Sequence, residues 1–151
     1  MAYTKQFTPK RSAYSFRNLE VYQKTMECSI LITKDISPVL AKLKYEFLEN
    51  MTNCSMSIPL YIGESHSIRY DNFTEGVGLL DKAMSSSNKM IIYLEQTKGL
   101  YGEKVDVGLI EDIITRYADS RSKMFRLGKA WKRYRENDLA NPKPKTANFK
   151  Y

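Results

Sequence analysis

The sequence predicts an all-α fold, an antiparallel up-down four-helix bundle. Apolar residues recur in steps of three and four over long stretches, the spacing of one helix face, and the alternation typical of strands is nearly absent. The chain has 151 residues, of which 42% are hydrophobic and 27% charged, as in one folded domain. We therefore predict a bundle over residues 18–136, with basic tails at residues 1–17 and 137–151.

The first helix is predicted over residues 18–35 and the second over residues 38–66. Ser37 and Pro38 separate them, because serine is a favoured N-cap and proline a favoured first-turn residue. Pro59 lies inside the second helix, where it removes a backbone donor, so we expect a kink or break near it. The apolar stripe of the first helix consists of Leu19, Tyr22, Met26 and Ile30. That of the second consists of Leu40, Leu43, Phe47, Met51, Cys54, Ile58 and Tyr61.

The third helix is predicted over residues 71–98. Asp71 or Asn72 can cap its start, and Gly99 or Gly102 can end it. Its stripe consists of Phe73, Val77, Leu80, Met84, Ser87, Ile91 and Leu94. Steps of four and three place these residues on one side of a helix.

The fourth helix is predicted over residues 107–136, with Asp106 as its N-cap. One set of residues recurs every seven positions: Ile110, Tyr117, Met124 and Trp131. A second set lies three positions further on: Ile113, Ser120, Leu127 and Tyr134. The seam covers about 25 residues of a helix that would be roughly 43 Å long at 1.5 Å per residue, and in a short chain sustained heptads favour antiparallel bundle packing.

The net charge of +7 is distributed unevenly along the chain. Residues 1–17 carry a net charge of +4, residues 18–114 carry −5, and residues 115–151 carry +8. A concentrated field of one sign is unfavourable within a protein unless a partner uses it. The asymmetry therefore indicates a polyanionic partner, of which nucleic acid is the first candidate.

The sequence offers little for catalysis. The single histidine, His66, stands beside Glu64 and Ser65, but adjacency alone supplies no catalytic geometry, and we expect it in the turn between the second and third helices. One histidine cannot furnish a bundle di-metal site, and the phosphate-binding glycine motifs are absent. The glycines of the EGVGLL segment, residues 75–80, are interpreted as points of close helix contact. We expect no enzymatic activity and neither a metal nor another cofactor.

The two cysteines and the hydropathy pattern indicate the compartment. Cys28 and Cys54 fit no metal-ligand spacing and lie in apolar-periodic segments, so both are interpreted as buried free thiols. The N-terminus lacks the apolar region of a secretory signal, and no stretch of 18 apolar residues occurs. We therefore predict a cytoplasmic protein with no membrane partner.

Cations crowd the fourth helix away from its seam. The predicted nucleic-acid-binding residues are Arg116, Arg121, Lys123, Arg126, Lys129, Lys132, Arg133 and Arg135. A solvated helix end with cations that complement the macrodipole would explain two or three of them. Contact with phosphates would explain the whole set, because each neutralised phosphate releases counterions. Trp131 and Tyr134 could stack on bases, but their seam positions favour burial.

Two segments resemble a known family. FRNLEVYQKTMECSILI at residues 16–32 resembles the opening of small bacterial four-helix-bundle proteins found in intervening sequences of ribosomal RNA genes. SIPLYIGESHSIRYDNFTEGVGLLDKAMSSSNKMIIYLE at residues 57–95 is similar to their Ser-Ile-Pro-x-x-Ile-x-Glu-Gly segment and third helix. Ser57, Ile58 and Pro59 are the most specific part of the match, which covers residues 16–98. Where the family has Ala-Glu-Gly, this chain has Gly-Glu-Ser.

The basic fourth helix, RSKMFRLGKAWKRY, is most similar to one branch of that family. This branch is the accessory variability determinant (Avd) proteins of diversity-generating retroelements. The resemblance implies a homopentamer without an active site, which binds a reverse transcriptase and its template RNA and supports mutagenic cDNA synthesis. Two alternatives remain open: a structural or protein-interaction bundle whose basic face meets an acidic protein or the ribosome, and a hydrolase built around His66.

Overall fold

The computed structural model describes residues 15–141, and all regular structure within them is helical. The elements are a 3₁₀ turn at Phe16–Asn18, α1 at Glu20–Leu31, a π-helical segment at Ile32–Ile36, α2 at Ser37–Lys42, α3 at Leu48–Ile68, α4 at Phe73–Tyr101, a 3₁₀ turn at Gly102–Lys104 and α5 at Val107–Ala140. Because α1, the π segment and α2 are continuous, they form one rod. The chain therefore has the predicted all-α fold with four long helices. The tail residues 1–14 and 142–151 lie outside the described part.

The first rod continues past the position where we expected it to end. The break predicted between the first and second helices is wrong, because Ser37 and Pro38 lie inside the rod. The Ser37 N–H donates to the carbonyl of Ile32, five residues back, which is the wider π-helical register. This local widening lets the helix continue into Pro38, which has no N–H of its own to donate.

The turn between the first rod and α3 lies at residues 43–47 instead. Lys44 has a φ of 59°, a left-handed conformation that ends the rod. The Tyr45 side chain is 5% exposed, and its hydroxyl donates to Gln96 Oε1 on α4 at 2.6 Å. Tyr45 thus ties this turn to the C-terminal part of α4.

Helix α3 passes through Pro59 without interruption. The break that we considered near this residue is therefore wrong, whereas the kink stays a prediction. Pro59 is buried on the side of α3 that packs against α1. We infer that this packing offsets the hydrogen bond that proline removes from the helix.

The predicted caps of the last two helices are confirmed. The Asn72 side chain accepts the Glu75 N–H at the start of α4, and Asp106 accepts the Leu109 N–H at the start of α5. Helix α4 ends at Tyr101, where Gly102 adopts a φ of 52°. Helix α5 continues to Ala140, four residues beyond its predicted end.

Four rods, namely the first rod (α1 to α2), α3, α4 and α5, enclose one core. α1 packs against α3 and α5, and α4 packs against the same two helices, so the rods form a ring. The largest fully buried side chains are Tyr117, Ile32, Leu40, Met51, Ile58, Ile62, Leu80, Met90, Leu94, Ile110, Ile113 and Met124. Both cysteines are free thiols, as predicted, but only Cys28 is fully buried, whereas Cys54 is half-buried. Burial raises the pKa of the Cys28 thiol to about 12, which keeps it protonated.

Leu19 and Tyr22 pack against the core as partly buried side chains, but the rest of the predicted apolar stripe is wrong for the first helix. Its core side is formed by Val21, Thr25, Cys28 and Ile32, which are all buried. Met26 is only half-buried and Ile30 is 47% exposed. They line an apolar groove of about 810 Å³ between α1 and α3. The exposed side chains Met56 and Leu60 line the opposite side of this groove.

Candidate nucleic-acid interface

The C-terminal half of α5 presents cations on the side that faces away from the core. Arg126, Lys129 and Arg133 follow one another in steps of three and four, so they share one helix face, and all three are exposed. The exposed Lys132 lies at the edge of this face. We call Arg126, Lys129, Lys132 and Arg133 the basic face. The buried Trp131 lies on the opposite side of the helix.

The basic face has no acidic partner in the described part of the chain. No carboxylate oxygen of residues 15–141 lies within 4.0 Å of any of its four cations. The Lys129 ammonium lies 4.9 Å from the centroid of the Phe125 ring, a contact that leaves its charge in place. Four like charges within about two helical turns create a field that favours a polyanion.

Two of the eight predicted residues are instead paired with acids. Arg116 Nε lies 3.0 Å from Asp112 Oδ2, and Arg116 also contacts Glu27 of α1 at 3.6 Å. Lys123 Nζ lies 2.6 Å from Glu20 Oε2 of α1 and 3.1 Å from Asp119 Oδ2. Hydrogen bonds to Glu20 and then to Asp119 raise the pKa of Lys123. These two cations connect α5 to α1, and their charge is already compensated.

The other two predicted residues lie on the α4 side of α5. Arg121 is half-buried, and Arg135 is exposed. The Arg135 guanidinium lies 4.7 Å from the centroid of the Phe73 ring, at the start of α4. Within residues 15–141, neither arginine has a carboxylate within 4.0 Å. The structure therefore divides the eight predicted residues between three sides of one helix.

The last two aromatic residues of the seam differ in burial. Trp131 is 6% exposed, which confirms its predicted place in the core, but Tyr134 is 63% exposed, so its predicted burial is wrong. All side chains from Lys132 to Ala140 are exposed. Arg135 lies beside Phe73, the first residue of α4. From about Arg135 onward, α5 therefore extends beyond the end of α4.

Sequence reasoning missed Arg69, which follows the end of α3. Its Nη1 donates to the His66 carbonyl at 2.5 Å, and its guanidinium lies 5.2 Å from the centroid of the Trp131 ring. The available signal is weak: Arg69 is the only Lys or Arg between Lys44 and Lys82 and is followed by Tyr70. An isolated cation beside an aromatic residue in a turn is too common to single out.

His66 lies in the last turns of α3, so its predicted place in a turn is wrong. Its ring centroid is 6.3 Å from that of Trp131, and the side chain is half-buried. Burial, and secondly the charge of Arg69, lower the pKa of His66 to about 4. Ser65, its neighbour, is buried and donates its hydroxyl to the Gly76 carbonyl. His66 is thus neutral at pH 7 and packs against the core.

This lowered pKa predicts how His66 affects stability. Between pH 6.5 and 4 the unfolded chain binds a proton at His66 that the folded chain does not, so stability falls as pH falls through this range. Because the side chain is half-exposed, we expect a contribution on the order of 1 kcal/mol. In urea titrations, His66→Gln should lose less stability than the unmodified protein between these pH values. Identical losses would contradict the prediction.

Comparisons with known proteins identify no relative: no family model, curated protein or solved structure matches the sequence. Within residues 15–141, no three His, Cys, Asp or Glu side chains come together as a set of metal ligands. None of the helices there combines the length and apolar composition needed to cross a membrane. The family resemblance therefore rests on the quoted sequence segments, and the candidate site rests on the geometry of α5.

Proposed function

We propose that this protein is a non-enzymatic accessory subunit of a diversity-generating retroelement. In this role it binds the template RNA and the reverse transcriptase and supports mutagenic cDNA synthesis. The observation that carries the proposal is the basic face, four exposed cations with no carboxylate within 4.0 Å in the described part of the chain. The retroelement context comes from the resemblance to Avd proteins.

RNA binding explains the charges of the basic face better than an ordinary solvent-exposed helix face does. A solvated helix face usually mixes charges of both signs, because neighbouring opposite charges stabilise the helix. On α5 this mixing is seen at Arg116 and Lys123, which pair with acids. Residues 124–135 then contain no acid, and Glu136 and Asp138 follow them. A row of phosphates supplies the missing counter-charge and gains entropy from released cations.

The proposal includes an assembly and an arrangement of the helices. The resemblance implies a homopentamer in the cytoplasm, and the exposed apolar side chains along the α1–α3 groove are compatible with self-association. The connections at residues 43–47, 69–72 and 102–106 are short, which favours antiparallel neighbours and an up-down bundle. Pro59 would kink α3 within that bundle.

The RNA part of the proposal is tested by binding at several salt concentrations. Fluorescence anisotropy of a labelled single-stranded RNA with the full-length protein should show affinity that falls by about tenfold or more from roughly 50 to 200 mM salt. No binding even at the lowest concentration would overturn RNA recognition. Binding to poly-glutamate in place of RNA would favour the alternative, a bundle whose basic face meets an acidic protein.

The retroelement part needs a separate test. The gene should lie beside one that encodes a reverse transcriptase, and the two proteins should copurify when expressed together. Light scattering should give a mass several times that of the 17.5 kDa chain. Absence of the neighbouring gene and failure to copurify would overturn the accessory role while leaving RNA binding intact.

A further inference from the structure

A pocket of about 380 Å³ lies between the turn after α3 and the last turns of α5. It is lined by Arg69, Tyr70, Phe73, Trp131, Tyr134, Arg135, Asp138 and Leu139. None of these residues belongs to the basic face, which lies on another side of α5. The volume is at the lower end of the range for small-ligand sites, so the pocket suits one small group rather than a helix or strand.

Aromatic rings dominate the pocket. Trp131 is 6% exposed and is held by the core, whereas Tyr134 and Tyr70 are 63% and 81% exposed. Large aromatic side chains gain stability from burial, so the exposed Tyr134 beside a buried indole leaves stacking surface unused, whereas the Arg69 guanidinium already lies over one face of Tyr70. A planar group that enters beside Tyr134 would cover that surface. Proteins that bind single-stranded nucleic acid use such aromatic surfaces to stack on bases.

The charges of the pocket suit a nucleotide within a strand. The Arg69 guanidinium lies 4.2 Å from the centroid of the Tyr70 ring, and its Nη2 donates to the Tyr70 hydroxyl at 3.0 Å. Arg135 lies over Phe73 on another side of the pocket. Two guanidinium groups and the carboxylate of Asp138 give the lining one net positive charge. A phosphodiester carries one negative charge per base.

The two arginines remain able to bind an anion. Within residues 15–141, neither guanidinium has a carboxylate within 4.0 Å, even though Asp138 lines the same pocket. Arg69 donates to the His66 carbonyl and the Tyr70 hydroxyl, both of them neutral acceptors. A guanidinium has five N–H donors, so Arg69 can keep these bonds and still reach a phosphate oxygen.

We propose that this pocket binds one unstacked base of single-stranded RNA, with Arg69 or Arg135 on its phosphate. The inference rests on the proposed RNA binding and names the class of RNA: single-stranded rather than duplex. Bases within a duplex are stacked on each other and cannot enter the pocket, whereas unpaired bases can. The basic face contacts phosphates of either form, so the pocket supplies the discrimination.

Trp131 reports directly on this pocket, because it is the only tryptophan of the chain. The full-length protein is titrated with a single-stranded RNA and with the duplex of the same sequence, and both anisotropy and Trp131 emission are followed. We expect the single strand to change Trp131 emission and the duplex to leave it unchanged, although anisotropy shows that both bind. Binding of the single strand without a change in emission would overturn the inference.

Substitutions separate base stacking from charge. Tyr134→Ala should weaken binding of the single strand by about tenfold and leave duplex binding unchanged. Phe125→Ala is the matched control, since Phe125 is 50% exposed on the same helix but outside the pocket, and it should not discriminate between the two RNAs. If Tyr134→Ala weakened the binding of single strand and duplex equally, the pocket proposal would be overturned, but the proposed RNA binding would stand. If neither RNA changed the anisotropy of the unmodified protein, both the pocket proposal and the proposed RNA binding would fail.

Discussion

Arg126→Gln/Lys129→Gln is expected to weaken RNA binding by about 30-fold at roughly 0.1 M salt. Both residues belong to the basic face and have no carboxylate within 4.0 Å in the described part of the chain. Each lost phosphate contact also removes about 0.7 to 0.9 from the slope of log affinity against log salt. Anisotropy at several salt concentrations measures both effects.

Arg116→Gln/Lys123→Gln is a control that removes the same two residue types and the same net charge. These cations already contact Asp112, Glu27, Glu20 and Asp119, so their charge is compensated before RNA arrives. We expect the control to change RNA affinity by about twofold or less and the salt slope by less than about 0.5. Its folding should be checked by circular dichroism, because it breaks contacts between α5 and α1.

The comparison decides between a local surface and a general effect of charge. If net charge alone attracted RNA, the two double variants would lose affinity equally, since each lowers the charge by two. Equal losses would therefore contradict the assignment of binding to the basic face. A larger loss in the control would move the interface to the side of α5 that faces α1.

The sequence predicted the core of α5 well because its buried residues are large. Tyr117, Met124 and Trp131 are bulky side chains at seven-residue spacing, and all three are buried. The core side of α1 instead includes the small polar residues Thr25 and Ser29, which hydropathy does not single out. Thr25 is tolerated there because its hydroxyl donates to the Val21 carbonyl of the same helix at 2.8 Å.

The same limitation affects the third predicted stripe. Ser87 was correctly placed, but Gly76, Ala83 and Thr97 are buried as well, whereas the larger Ile91 is only partly buried. Close packing between helices selects side chains by size as well as by hydropathy. A pattern of apolar residues therefore fixes the existence of a helix better than it fixes which side faces the core.

Which cations of the candidate site remain unpaired depends on contacts between residues far apart in sequence, and a local sequence pattern does not reveal such contacts. Lys123 and Glu20 are 103 positions apart, so their pairing follows only from how α5 packs on α1. The same holds for Arg69 and Trp131, which meet because the end of α3 lies beside α5. The sequence predicted which helix carries the charge, and packing decided which cations remain unpaired.

Gly76→Ala is expected to lower the free energy of unfolding by about 2 to 3 kcal/mol. A Cβ at this position would lie 2.9 Å from Arg69 Cα, 3.2 Å from Arg69 Cβ and 3.3 Å from the Ser65 carbonyl oxygen. Two of these atoms belong to the backbone, which cannot move aside as a flexible side chain would. Relief of the clash would require α4 to separate from the end of α3, where Ser65 donates to the Gly76 carbonyl.

Gly78→Ala provides the matched control, because it makes the same change two residues later in α4. A Cβ at Gly78 would meet no other atom within 4 Å. Alanine has the higher helix propensity, so we expect Gly78→Ala to raise the free energy of unfolding by about 0.5 to 1 kcal/mol. In guanidinium titrations, the unfolding midpoint of Gly76→Ala should therefore lie below that of the unmodified protein, and the midpoint of Gly78→Ala should lie above it.

The two glycine variants also test whether the fold positions the aromatic pocket. Arg69 contacts the Trp131 ring and would be displaced by a methyl group at Gly76, whereas Gly78 has no such neighbour. Gly76→Ala should therefore change the Trp131 emission of the folded protein, and Gly78→Ala should not. If both alanines stabilised the protein and left the emission unchanged, α4 could not approach the end of α3 as closely as the structure has it. The geometry proposed for Arg69 would then be lost as well.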